Sequence, residues 1–204
     1  MMPFSDSLST ATQALLADRL GEAGAQAIEQ LAAKGYEVRS GLTPEFVAAI
    51  AKMAQEPNIR EYCPRDSAER FADLESTKQW LSKGRTVFLL VKRADNDNLS
   101  LAGYGWAGAA TSEQVPGGQS TFALRIGEAG HGQGLATPFA QLIVLAAAQL
   151  YGAKDMWLET WASNGAAVHI YQKLGAVQVA EKPDQRHTAD GGTVADSRLY
   201  MTLA

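Results

Sequence analysis

The spacing of apolar residues predicts helix at the start of the chain. Residues 9–33 carry leucine, isoleucine and alanine at helical intervals and contain little turn chemistry. Gly21 and Gly24 interrupt this stretch, so the pattern predicts two short helices. A strand-like run from 36 to 42 follows and marks the first element of a sheet.

Two further helices are predicted before the next strand. The segment 43–55 opens with a threonine, a proline and an acid, the residues of a capped helix start, and Pro57 with its following asparagine ends that helix. Asp66 and Glu69 have the spacing of a capping box. We therefore predict a second helix that runs from this box to about residue 83.

The rest of the chain combines β-forming runs with two helices. The predicted strands are 86–91, 99–107, 121–126, 156–161, 177–180 and 198–203. The predicted helices are 134–151 and a short one that is capped by Ser163 or Asn164 and ends before Gly175. The segment 181–197 is predicted to be a polar loop. Strands run together in the middle and alternate with helices only near the end. This order indicates an α/β fold class of the α+β kind, a mixed sheet with helices on its faces.

Composition and charge exclude several classes of protein. The chain has 204 residues, 46% hydrophobic and 20% charged, which is typical of a soluble folded protein. A net charge of −4 argues against a nucleic-acid partner, because such proteins normally carry a basic patch. The stretch 129–153 lacks charged residues, but its continuous apolar run is far shorter than the ~20 residues of a membrane span. We therefore predict neither a nucleic-acid nor a membrane partner.

Cysteine and histidine usage bears on metals and on the cellular compartment. Cys63 is the single cysteine, so an intramolecular disulfide and a cysteine-rich zinc site are both excluded. His131, His169 and His187 are scattered, and we predict no metal site. The N-terminus lacks the basic start and apolar core of a secretory signal, so we expect a reducing, cytoplasmic setting.

The segment 131–136 carries the most specific chemistry. It reads His-Gly-Gln-Gly-Leu-Ala between an apolar strand and a long helix. The first N–H groups of a helix have no intrahelical partner, and glycines let a ligand approach the main chain, so the segment suits a phosphate. A tight turn that binds nothing remains the alternative. The segment contains neither the GKS of a P-loop nor a complete G-x-G-x-x-G.

Two motifs together resemble the GNAT superfamily of acetyl-CoA-dependent N-acetyltransferases. The cofactor loop of that family reads Arg/Gln-x-x-Gly-x-Gly/Ala, and here it reads His131-x-x-Gly134-x-Ala136. The downstream family signature is matched in order and spacing by Leu158, Thr160, Asn164, Ala167, Ile170, Tyr171, Gly175 and Ala176. The resemblance is tight over residues 121–176 and looser over 34–204. It implies a GNAT-like acyltransferase fold, whose central mixed sheet is mostly antiparallel and flanked by helices. It also implies two parts, an N-terminal helical extension (1–33) and a GNAT-like domain (34–204).

The resemblance implies a site for acetyl-CoA as co-substrate. A backbone N–H near Ile126 would polarise the thioester carbonyl, Asn164 would bind the pantetheine region, and Tyr171 would protonate the leaving thiolate. The residues expected to bind the cofactor are Leu124, Ile126, His131, Gly132, Gln133, Gly134, Ala136, Thr137 and Asn164.

Three features leave alternatives open. Tyr171 lies on an apolar helical stripe, where a tyrosine is often only part of the core. Glu159 shares a strand face with Trp157 and Trp161 and is either the general base or a half-exposed strand acid. His131 replaces the family's Arg or Gln, which removes a reliable donor near phosphate.

The sequence therefore predicts an N-acetyltransferase in which an amine attacks acetyl-CoA directly in a ternary complex. The acceptor is expected to be a small-molecule amine, and a protein amine is the alternative. The alternative is a catalytically silent GNAT-like module that binds acyl-CoA or a protein partner. The N-terminal helices could pair two chains, so a homodimer is a further expectation.

Overall fold

A seven-stranded sheet forms the centre of the molecule. The structure, a computed structural model, describes residues 10–93, 99–151, 156–188 and 190–203, with side chains from residue 20 onward. The strands are β1 (Tyr36–Ser40), β2 (Thr86–Arg93), β3 (Leu99–Ala109), β4 (Ser120–Ile126), β5 (Met156–Trp161), β6 (Val177–His187) and β7 (Thr193–Leu203). Their spatial order is β1-β2-β3-β4-β5-β7-β6, and only β4 and β5 are parallel. The predicted mixed, mostly antiparallel sheet is confirmed.

Helices cover both faces of this sheet. They are α1 (Thr10–Ala32), α2 (Pro44–Met53), α3 (Pro57–Tyr62), α4 (Leu74–Leu81), α5 (Ala136–Tyr151) and α6 (Gly165–Lys173). On one face, α1, α5 and α6 pack over apolar side chains that include Phe88, Phe122 and Leu158. On the other face, α2 and α4 pack over a second cluster that includes Leu89, Tyr104 and Trp106. None of the described helices has the length and apolar character that crossing a membrane requires.

The first helix is part of this core. Gly21 has a positive φ of 67° and interrupts the helix at one of the two predicted positions, whereas Gly24 does not. Leu20, Ala27 and Leu31 are buried in the cluster beneath α5. The apolar face of α1 is thus used within its own chain. The boundary between residues 33 and 34 stays a prediction.

The predicted capping box at Asp66 and Glu69 is wrong. Residues 66–70 form one π-helical turn, and α4 begins later, where the Asp73 side chain accepts a hydrogen bond of 2.7 Å from the Ser76 backbone N–H. Asp66 is fully buried, and its ion pairs with Arg70 and with Arg125 of β4 compensate its charge. Its carboxylate binds these guanidinium groups rather than the helix start.

Two other predictions also need correction. Helix α2 ends at Met53, before Pro57, and Pro57 is instead the first residue of α3, a position where proline costs no hydrogen bond. The segment 181–197 is not a loop, because β6 and β7 continue as a paired hairpin with Arg186 opposite Val194. Polar residues fill this hairpin because most of β6 is exposed at the edge of the sheet, so the composition resembles that of a loop.

Candidate active site

The parallel strands β4 and β5 separate and leave a gap in the sheet. They pair only at their starts, Ser120 with Met156 and Thr121 with Trp157. Beyond those pairs, β4 continues to Ile126, and no described residue pairs with it on that side. The predicted residues Leu124 and Ile126 therefore lie on a strand edge whose main chain is free to bind an extended ligand.

Beyond β4, the chain turns into α5 through the segment 131–136, the glycine loop, whose backbone forms a cradle at the helix start. Gly132 and Gly134 have φ values of 71° and 68°, a conformation that favours glycine. Among the described residues, nothing accepts a hydrogen bond from the backbone N–H groups of residues 134–137, which include Ala136 and Thr137. These free donors at the start of a long helix fit a pyrophosphate.

Pro138 leaves this helix start intact. The first helical hydrogen bond runs from the Phe139 N–H to the Leu135 carbonyl oxygen, at 3.1 Å. Pro138 therefore lies in the first turn, where its missing N–H would have had no intrahelical partner.

Two predicted binding residues of the loop use their side chains within the protein. The His131 Nε2 lies 3.0 Å from the Ile126 carbonyl oxygen and 3.0 Å from the Asn58 amide nitrogen, and its tautomer decides whether it donates to the first or accepts from the second. The Gln133 amide donates to the Ala129 carbonyl and accepts a hydrogen bond of 2.8 Å from the Tyr36 hydroxyl. These bonds fix the loop from both sides, so its contribution to an anion comes mainly from the backbone.

Tyr171 is buried beside the gap. Asn164 caps α6 by accepting a hydrogen bond of 3.2 Å from the Ala167 N–H, and this helix carries the Tyr171 ring against Phe122 of β4. Among the described residues, none forms a hydrogen bond with the Tyr171 hydroxyl. Burial raises the pKa of Tyr171 to about 12, although nearby Arg125 lowers it. The phenol therefore stays protonated at neutral pH, as a proton donor must.

We expect this pKa to be visible by ultraviolet titration. The difference between wild type and Tyr171→Phe should show a phenol that ionises near pH 12, because burial penalises the phenolate. Since the folded pKa is raised, the linked contribution to stability is present below the unfolded pKa and is lost as pH rises through the folded pKa. An ionisation at the ordinary tyrosine pKa would contradict the burial of this hydroxyl.

Glu159 lies on the opposite face of β5 from Tyr171. Its neighbour Leu158 packs in the cluster that contains Tyr171, and side chains alternate along a strand. The half-exposed Glu159 carboxylate is 3.7 Å from Arg198, which stacks on the Trp161 ring. The structure therefore does not bring Glu159 and Tyr171 to one face, and the assignment of Glu159 as a base stays a prediction.

Sequence reasoning missed a buried charge network next to the gap. Arg125 of β4 donates through Nε to Asp66 at 2.8 Å and through Nη1 to the Leu124 carbonyl at 2.8 Å. The Tyr104 hydroxyl donates to the same carboxylate at 3.2 Å. Burial lowers the pKa of Arg125, but the summed attraction of Asp66 and other nearby groups outweighs it, so the pKa is raised and the guanidinium stays charged. A lone arginine inside an apolar strand was the available signal.

A second arginine fixes the β6–β7 hairpin beside α3. Arg186 is buried and forms ion pairs with Asp196 at 3.0 Å and with Glu61 of α3 at 3.1 Å. Its guanidinium also stacks 4.9 Å from the Tyr62 ring centroid. The Trp161 indole donates to the Tyr62 carbonyl, which joins β5 to the same corner. These contacts enclose the face of the sheet that carries Glu159.

Known proteins are similar to this chain in sequence pattern and in fold. The family model for the acetyltransferase (GNAT) domain matches residues 40–177. A spermidine N-acetyltransferase from Vibrio cholerae, solved with CoA and spermine, is 18% identical, covers 83% of this chain and 96% of that one, and superposes with a TM-score of 0.64. A putative acetyltransferase from Salmonella typhimurium, solved with its cofactor acetyl-CoA, is 17% identical, covers 83% of this chain and 93% of that one, with a TM-score of 0.61. No curated protein matches the chain significantly.

The family match extends over most of the chain, and it decides the class. The chain belongs to the GNAT acetyltransferase family. It is an acyltransferase that uses acetyl-CoA as its co-substrate. The likeness to solved structures confirms the fold alone, because the sequence identities of 17% and 18% are too low to show more.

Proposed function

We propose that this protein transfers an acetyl group from acetyl-CoA to the nitrogen of a small-molecule amine. The observation that carries the proposal is the Tyr171 hydroxyl, which is protonated and without a hydrogen-bond partner among the described residues, beside the gap between β4 and β5. The neighbour from Vibrio cholerae was solved with spermine, a small polyamine. That neighbour supports a small amine as the acceptor class.

The chain's own groups have distinct roles in this proposal. The backbone N–H groups of residues 132–137 hold the pyrophosphate, and the free edge of β4 at Leu124 and Ile126 aligns the pantetheine arm, with Asn164 contributing from the other side of the gap. The backbone N–H near Ile126 stabilises negative charge on the thioester oxygen. Holding two reactants in line supplies much of the rate enhancement in such reactions.

The reaction needs two proton transfers, and the proposal assigns each to a different face of the sheet. The new C–N bond forms as the C–S bond breaks, and the thiolate takes its proton from the Tyr171 hydroxyl. The acceptor nitrogen loses a proton to Glu159 or to water. Since Glu159 is half-exposed on the face opposite Tyr171, it is placed to meet an acceptor that enters from that face.

An acceptor screen tests this function. The protein is mixed with acetyl-CoA and a panel of polyamines, amino acids, aminoglycosides and peptides, and release of free thiol is followed over a control without acceptor. Mass spectrometry then locates the acetyl group on the acceptor. We expect acceptor-dependent thiol release with acetylation at nitrogen. If the protein binds acetyl-CoA but no acceptor accelerates thiol release, the silent-module alternative is favoured instead.

A further inference from the structure

An uncompensated ammonium lies at the mouth of the cradle. Lys34 lies in the turn that follows α1, and the next residue of this turn, Gly35, has a positive φ of 78°. Its Nζ donates a hydrogen bond of 2.5 Å to the Gln133 carbonyl oxygen, 99 positions away in sequence. A Cβ placed on Gly134 would lie 2.9 Å from the same Nζ. The ammonium is therefore directly beside the glycine at the centre of the loop.

The Lys34 ammonium has N–H donors that no described residue uses. An ammonium has three N–H donors, and the only partner of Lys34 Nζ within the described part of the chain is the neutral Gln133 carbonyl. No carboxylate of the described residues forms an ion pair with it. A cation so placed next to free backbone N–H groups adds net attraction for an anion.

The His131 side chain, which stands where the family has Arg or Gln, is held against the protein instead. Its Nε2 lies 3.0 Å from the Ile126 carbonyl oxygen. Lys34 lies outside the residues 40–177 that the family model matches. The charge at the loop therefore comes from the turn that follows the N-terminal helix.

We propose that Lys34 binds the pyrophosphate of acetyl-CoA and supplies a cationic donor at the loop. The inference assumes that acetyl-CoA binds at this cradle, and it is independent of the acceptor. It gives α1 a function, because the helix end and its turn carry the ammonium to the loop. The pyrophosphate is the expected contact rather than the 3′-phosphate, because the ammonium lies against Gly134 itself.

Calorimetric titration with CoA tests this contact without catalysis. Lys34→Met should raise the Kd for CoA about tenfold, and Lys34→Arg should restore most of the affinity. The Kd of wild type should also increase more steeply with salt than that of Lys34→Met, because a charge contact is screened. Lys83→Met, which removes an exposed lysine after α4 on the other face of the sheet, should bind CoA as wild type does.

Dephospho-CoA, which lacks the 3′-phosphate, separates the two kinds of phosphate. Lys34→Met should lose affinity for this ligand by the same factor as for CoA. A loss seen only with CoA would overturn the assignment to the pyrophosphate. Equal Kd values for wild type and Lys34→Met, or equal salt dependence, would overturn the contact as a whole. Failure of wild type to bind CoA would overturn both this inference and the proposed function.

Discussion

Replacement of Tyr171 by phenylalanine is expected to lower kcat by about 10²-fold or more, while the Kd for acetyl-CoA changes by less than about twofold. The phenol is buried beside the gap, and its pKa of about 12 keeps it protonated. Phenylalanine preserves the edge contact with Phe122, whose ring centroid lies 5.8 Å away. Only the proton donor is lost, so the effect should appear in the chemical step.

A second tyrosine provides the control. Tyr151 lies at the end of α5, where its hydroxyl contacts Thr86 and the Ala107 carbonyl. Tyr151→Phe removes a phenol remote from the gap and should leave kcat unchanged. Steady-state kinetics and calorimetry on both variants check the prediction. Unchanged turnover in Tyr171→Phe would show that Tyr171 is only part of the core.

Replacement of Asp66 by asparagine is expected to reduce the free energy of unfolding by about 3 kcal/mol or more. The carboxylate is fully buried and accepts hydrogen bonds from Arg125 at 2.8 Å, Arg70 at 3.0 Å and Tyr104 at 3.2 Å. Its removal leaves the buried Arg125 guanidinium without a counter-charge. Breaking a buried ion pair from one side is costly for this reason.

An exposed ion pair in the same segment is the matched control. Glu69 pairs with Arg65 at 3.0 Å, and both side chains are more than half exposed. Glu69→Gln should change the free energy of unfolding by less than about 1 kcal/mol. Denaturant unfolding followed by tryptophan fluorescence measures both variants. If Asp66→Asn and Glu69→Gln have equal effects, the network does not stabilise this corner of the site. The double variant Asp66→Asn/Arg125→Met should regain part of the loss, since it removes both charges.

Local signals explain how much of the fold and site could be predicted. The strand at 156–161, the Asn164 cap and the glycine loop depend on neighbouring residues, and the structure confirms all three. The β6–β7 hairpin was misread as a loop because its exposed edge strand has the polar composition of one.

Contacts distant in sequence explain what could not be predicted. The local sequence predicts that Asp66 caps a helix. In the fold it pairs with Arg125, which is 59 positions away. The contact of Lys34 with the loop likewise depends on how α1 packs on α5, which no local pattern encodes. The ion pair of Arg186 in the β6–β7 hairpin with Glu61 of α3 also connects residues 125 positions apart. Such pairs have no local signature.

Binding of acetyl-CoA at the glycine loop is the claim on which the rest of the account depends. Calorimetric titration of wild type beside Gly134→Glu tests it most directly, because a carboxylate there would repel the pyrophosphate in the cradle. Gly117→Glu is the matched control, since Gly117 also has a positive φ, 91°, but lies in the β3–β4 connection. We expect micromolar binding by wild type and Gly117→Glu, and loss of binding by a folded Gly134→Glu. Absence of binding by folded wild type would contradict the account.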